Sequence, residues 1–102
     1  MFSLLIVEDE RPVADELCAL VRRFEQEHGE KFEITMLGAA FEMLDNSKAY
    51  DICLLDIDLP GINGMEAAQM LRLGGRATEI IFVTNLAQYA IRGYEVNAVG
   101  FI

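Results

Sequence analysis

The sequence predicts an α/β protein, an open parallel sheet of five strands with helices on both faces. Three observations predict it. Five short apolar runs recur along the 102 residues. Segments with helical spacing separate them. The first and third runs are continuously apolar, as strands covered on both faces are.

The elements follow in order. Leu4-Leu5-Ile6-Val7 is the first strand. Val13, Leu17, Leu20, Val21 and Phe24 then fall on one helical stripe, with Asp15, Glu16, Arg22, Arg23 and Glu25 mostly off it. Pro12 suits the first turn of that helix, and Gly29, after His28, suits its C-terminal cap. Phe32 to Leu37 is the second strand, and residues 39–44 form a short helix. Ile52-Cys53-Leu54-Leu55 is the third strand; Met65 to Leu73 is helical and stops at Gly74-Gly75. Ile80 to Val83 is the fourth strand, Leu86 to Arg92 a helix near Gly93, and Ala98 to Ile102 the fifth strand. Met36, Met43, Met65 and Met70 are expected in the packing, and His28 in solvent.

This length fits one domain over residues 1–102. It is 53% hydrophobic and 25% charged, the composition of a folded chain. No apolar run approaches the roughly 20 residues that span a bilayer, so no membrane association is expected. Met1 to Val7 lacks the basic start of a signal peptide, so none is expected. Seventeen acids against eight bases give a formal charge of −9. Arg22-Arg23 is too short for a phosphate-binding patch, so direct contact of these residues with DNA is not expected. Cys18 and Cys53 stand in apolar surroundings without a CxxC spacing. They read as reduced structural thiols, and hence point to a reducing, cytoplasmic location.

In parallel sheets of this kind functional groups collect at the carboxyl ends of the strands. Glu8, Asp9 and Glu10 follow the first strand, Asp56 and Asp58 the third, and Thr84 and Asn85 the fourth. Adjacent strands would crowd carboxylates from two strands into one cleft. Such crowding is relieved by a cation or a proton. Oxygen ligands alone suit Mg²⁺, which would draw in and neutralise a phosphoryl oxygen. Asp56 is then placed to act as a nucleophile forming an acyl phosphate, with the Thr84 hydroxyl donating to a phosphoryl oxygen. Plainer roles stand beside these: Asp9 as the cap of the first helix, and Thr84 as the cap of the fourth. Within Asp56-Ile57-Asp58-Leu59-Pro60-Gly61-Ile62-Asn63-Gly64, Pro60-Gly61 predicts a tight turn. Asn63 can cap the next helix, Gly64 permits close backbone packing, and the turn carries the Asp58 carbonyl back over the cleft.

On these residues the chain resembles the receiver domain of a two-component response regulator. Leu5-Ile6-Val7-Glu8-Asp9-Glu10, the block from Leu54 to Gly64, and Ile81-Phe82-Val83-Thr84 carry the likeness. The stretch from Tyr89 to Ile102 is similar to regulators of the LytTR class. The resemblance implies a flavodoxin-like doubly wound sheet of order 2-1-3-4-5. It implies Asp56 as phosphoacceptor and Mg²⁺ held by Asp9, Asp56 and the main-chain carbonyl of Asp58, with Glu8 helping through water. It also implies Thr84 as the switch hydroxyl and Phe101 as the switch aromatic. A sensor histidine kinase is the implied partner. A homodimer is expected on a different ground, because loss of the last helix would uncover apolar sheet surface. DNA would be reached only through a C-terminal output domain outside this chain.

The family carries a lysine shortly after the fifth strand, and this chain stops at Ile102 before it. The final helix is absent too, and a fragment of a longer protein is expected. A switch is expected, not a turnover enzyme. Two alternatives stand beside it. Asp56-Ile57-Asp58 is similar to the DxD nucleophile of haloacid-dehalogenase-type phosphatases, although that motif follows the first strand. A receiver-like module used only for protein contacts, never phosphorylated, is the other. Tyr89, Ile91 and Tyr94 form either a partner face or core. Asp58, if its side chain leans over the cleft, would modulate hydrolysis of the acyl phosphate.

Overall fold

The computed structural model describes residues 1–45, 49–83 and 100–101, the side chains of Asp45, Gly100 and Phe101 excepted. The chain runs β1 (Phe2–Val7), α1 (Arg11–His28), β2 (Phe32–Leu37), α2 (Ala40–Asp45), β3 (Ile52–Asp56), α3 (Gly64–Leu73), β4 (Glu79–Val83) and β5 (Gly100–Phe101). The strands form one sheet of order β2-β1-β3-β4-β5, and every pair is parallel. This is the expected order. The predicted helix over residues 86–92 lies outside the described residues, as do Thr84, Tyr89, Ile91 and Tyr94.

Alternation of side chains along each strand builds two cores. Leu5, Val7, Cys53, Leu55, Ile80 and Phe82 face one side and pack with Ala40 and Met43 of α2 and Met65, Ala68 and Leu71 of α3. Leu4, Ile6 and Leu54 face the other, against Ala14, Leu17 and Val21 of α1. Covered on both sides, the central strands have no polar face to show, which is why β1 and β3 read as unbroken apolar runs. The two cysteines fall on opposite sides of the sheet and are both free thiols. Burial pushes the Cys53 thiol up to about 12, so it packs as an apolar group against Met43, sulfur to sulfur at 3.8 Å.

Three expected packing residues are corrected. Leu20 and Phe24 of α1 are 53% and 46% exposed, and Met70 of α3 is 48% exposed. The buried stripe of α1 centres on Ala14, Leu17 and Val21, leaving Leu20 and Phe24 on its flank. Among the described residues, no second helix lies beside α1 to cover that flank. In α3 the buried face runs through Met65, Ala67, Ala68 and Leu71, and Met70 points away from it. Phe24 instead joins an aromatic row at the lower edge of the sheet, 4.3 Å from the His28 ring and 6.1 Å from that of Phe32. His28 remains exposed, as expected. Gly29, with φ 68°, ends α1 in the left-handed conformation that glycine adopts without strain.

Hydrogen bonds at the starts of the strands fix how far each one reaches. The Ser3 N–H donates to Asp51 Oδ2 at 2.8 Å, and the Asp51 N–H returns a bond to the Ser3 carbonyl at 3.1 Å. The Glu79 N–H donates to the Asp51 carbonyl at 3.0 Å, so β1, β3 and β4 are tied at their origins. The resulting register sets Val7 opposite Leu55 and Leu55 opposite Phe82. Sliding β1 by one residue would reverse its faces, so burial of Leu5 and Val7 also enforces this register. Among the described residues no helix is long and apolar enough to cross a membrane.

The fully buried Leu55 contrasts with Leu73, which is 88% exposed. Leu55→Ala is expected to cost about 2–5 kcal/mol through lost burial and a residual cavity. Leu73→Ser is expected to stay within about 0.5 kcal/mol. Urea denaturation followed by far-UV circular dichroism separates the two.

Candidate functional site

The register that pairs Val7 with Leu55 makes the next residues, Glu8 and Asp56, neighbours across two parallel strands. Glu8 continues the β1–β2 ladder through its N–H, which donates to the Leu37 carbonyl at 3.0 Å. Its side chain is buried, 7% exposed, and Oε1 accepts the Glu10 N–H at 3.1 Å. Glu10 is the residue that opens α1, in an extended conformation and with no side-chain cap. The reading of Asp9 as the cap of this helix is therefore corrected: it precedes the cap position. Its carboxylate joins those of Glu8 and Asp56, one oxygen from each lying within 4.8 Å of the others.

Three carboxylates at this spacing repel one another, and the titration of the group responds. Burial, then the adjacent Asp56, pushes Glu8 from its ordinary value of 4.5 up to about 7, against the opposing pull of the Glu10 N–H. Asp56 is also raised, chiefly by burial; the Asp58 N–H and a bond with Glu8 pull it down, and the charges of Asp9 and Asp58 push it up. In effect Glu8 holds a proton against Asp56. The ion pairs Arg11–Asp15 and Arg22–Glu25 lie on the surface of α1 and include no residue of the cluster. A buried carboxyl, an exposed one and a strand-terminal one, all oxygen donors, suit a hard divalent ion.

The β3–α3 loop holds Asp56 from the other side. Asp56 Oδ1 accepts the Asp58 N–H at 3.1 Å, while Asp58 itself is exposed. The predicted turn at Pro60-Gly61 is present, with Gly61 at φ 75°. Asn63 caps α3: its side chain accepts the Glu66 N–H at 2.9 Å, and Glu66 accepts the Asn63 N–H at 3.3 Å. Gly64 packs directly on the Asp56 carbonyl. The Ile57 carbonyl accepts both the Leu59 N–H at 2.9 Å and the Gly64 N–H at 3.0 Å, which closes the loop on itself.

Sequence reasoning missed two anchors of this loop. Ile57 and Leu59 are buried at 1% and 6% exposure, pinning the loop into the α2–α3 core. The signal was present in the strict alternation of acidic and apolar residues over Asp56-Ile57-Asp58-Leu59. Glu8, Asp9 and Asp56 are thus brought together as expected. Thr84 lies outside the described residues. Phe101 is placed only by its backbone, which pairs with Phe82 through β5.

A family model described as "Response regulator receiver domain" matches residues 4–102. The chain belongs to the response regulator receiver domain family. This receiver is 35% identical over 102 residues to the sensory transduction protein LytT of Bacillus subtilis, covering 100% of this chain and 42% of that one. The chain therefore spans less than half the length of the curated relatives it matches, and the likeness to the LytTR class agrees with the sequence reading. Among solved structures, the response regulatory domain of mrkE from Klebsiella pneumoniae superposes with a TM-score of 0.85 at 25% identity, covering 98% of this chain and 80% of that one. TrrA from Thermotoga maritima, solved in complex with Mg²⁺-BeF, superposes at 0.74 with 29% identity, covering 100% of this chain and 85% of that one. The DxD-phosphatase alternative is not supported: in this receiver Asp56 ends the third strand, at the centre of the sheet.

The raised Glu8 value sets a pH dependence. Between about 4.5 and about 7 the folded receiver holds a proton that the unfolded chain has released. This contribution to stability is fully present below about 4.5 and is lost as pH rises through about 7. Without divalent ions, Glu8→Gln is expected to be more stable than the parent at pH 8, by on the order of 2 kcal/mol, with the difference vanishing near pH 4. Thermal denaturation across pH measures it. An advantage that grows on acidification would contradict the assignment.

Proposed function

We propose that this receiver is the phosphorylatable switch of a two-component regulator, with Asp56 as phosphoacceptor. The observation that carries the reading is the meeting of carboxylates from β1 and β3 within 4.8 Å, with Asp56 at the tip of a buried central strand. Glu8, Asp9, Asp56 and the main-chain carbonyl of Asp58 would hold Mg²⁺, the first of them through water. The Mg²⁺–BeF complex of TrrA supports this choice of ion. The ion supplies positive charge that offsets the crowded acids and the incoming phosphoryl oxygens.

The donor is a phosphohistidine of a sensor kinase. A carboxylate oxygen of Asp56 attacks phosphorus and forms the acyl phosphate; the P–N bond breaks, and the imidazole leaves as the nitrogen takes up a proton. Asp58 N–H at Asp56 Oδ1 orients the carboxylate for this attack. Hydrolysis returns the carboxylate, so the domain is a switch with a lifetime and not a turnover enzyme. Thr84 is the hydroxyl that closes on the phosphoryl group, and Phe101 the aromatic that moves with it, shifting the population between two packings of the face around β5.

The −9 charge leaves DNA contact to an output domain elsewhere in a longer regulator, and this switching face is where a second receiver would pair. The reading places the protein in the cytoplasm, within reach of a kinase domain and with its thiols reduced. The exposed Asp58 carboxylate tunes hydrolysis of the acyl phosphate; an unchanged half-life in Asp58→Asn would remove it from that role.

Incubation with acetyl phosphate and Mg²⁺, read by intact-protein mass spectrometry, is expected to add one phosphoryl group. The adduct is expected to be absent with Asp56→Asn and strongly reduced when the divalent ion is chelated. Labelling that survives Asp56→Asn would overturn the assignment.

A further inference from the structure

We infer that Gly64, at the start of α3, is a positioning residue for the Asp56 carboxylate, because its lack of a side chain leaves room for the Asp56 carbonyl. This rests on the receiver reading of the site. A Cβ placed on Gly64 would overlap the Asp56 carbonyl oxygen and lie 2.8 Å from its carbon and 2.9 Å from the Ile57 Cα. All three atoms are backbone, so no side chain can swing aside to make room.

Something must shift, and the anchoring on each side decides what. The first turns of α3 are held by the Asn63–Glu66 capping box and by Met65, Ala67 and Ala68, each fully buried. Asp56 is less constrained. The β1–β3 pairing ends at Val7–Leu55, so the Asp56 backbone pairs with a neighbouring strand only at Val83 of β4. A side chain at position 64 therefore displaces the Asp56–Ile57 peptide. The carboxylate borne by that peptide must meet Glu8 and Asp9 within 4.8 Å, and oxygen ligation of a small hard cation tolerates little misplacement.

Gly75, at the far end of the same helix, provides the control. Its φ is 77° and a methyl group there would meet nothing within 4 Å, so Gly75→Ala strains the backbone and touches no part of the site. Two readouts are compared for Gly64→Ala and Gly75→Ala. One is Mg²⁺ affinity by isothermal titration calorimetry. The other is the ¹⁵N–¹H resonance of the Asp58 amide, which reports the bond to Asp56 Oδ1 without any metal. Gly64→Ala is expected to weaken Mg²⁺ binding about tenfold or more and to move the Asp58 resonance. Gly75→Ala is expected to lose thermal stability while leaving both readouts at parental values.

Parental Mg²⁺ affinity in Gly64→Ala overturns the inference, as does an equal loss in Gly75→Ala. If Gly64→Ala unfolds, both readouts are repeated in trimethylamine N-oxide, which favours the compact state; failure to fold there makes the role structural and likewise overturns it. If the parent itself binds no Mg²⁺, the proposed function fails. The Asp58 resonance then still decides whether Gly64 positions Asp56.

Discussion

Carboxylates from two central strands crowd at the carboxyl end of the sheet, and much of the molecule is arranged to hold them there. Left in water, Glu8, Asp9 and Asp56 would move apart. Here Glu8 cannot, because its backbone still belongs to the β1–β2 ladder and its side chain is buried. Asp56 is kept near by the strand it terminates, whose other residues form the centre of both cores. The repulsion is met by proton retention on Glu8, and a divalent cation would relieve it more completely. A site of this kind stores unfavourable electrostatics that binding can release, and the two cores on either side of the sheet provide the stability to hold it.

The features that deliver the acids to one place lie far from them. Ser3, Asp51 and Glu79 tie the origins of β1, β3 and β4, and strands tied at one end with a fixed rise per residue arrive level at the other. At the functional end the β3–α3 loop is a second fixture, with Ile57 and Leu59 as its buried pegs and the capping box of α3 as its far wall. Flexible loops commonly carry function; this one is made stiff by alternating an acid with an apolar anchor.

The alternation over Asp56-Ile57-Asp58-Leu59 was legible in the sequence, but its meaning was not. Periodicity shows that two residues point to opposite sides, and only the neighbouring helices decide which side is dry. The same limit explains Leu20 and Phe24. Their spacing places them on the apolar stripe of α1, yet the buried line of the helix runs through Ala14, Leu17 and Val21, and both lie on its flank. Asp9 shows the limit at a helix start: an acid just before a helix reads as a cap, and a difference of one residue in where the helix begins removes it from that role.

The sequence by itself determined the alternation of strands and helices, the acids at the strand tips, the Pro60-Gly61 turn, and the capping chemistry of Asn63. These are local properties, set by side-chain periodicity and by the φ that proline and glycine impose. Tertiary structure alone decided that Glu8 is buried while Asp9 is not, that burial and the nearby Asp56 raise the Glu8 carboxyl, and that Gly64 must lack a side chain. Those are consequences of distance between segments remote in the chain. Coulomb repulsion and steric overlap act through space, and no pattern along the sequence records how closely two backbones approach.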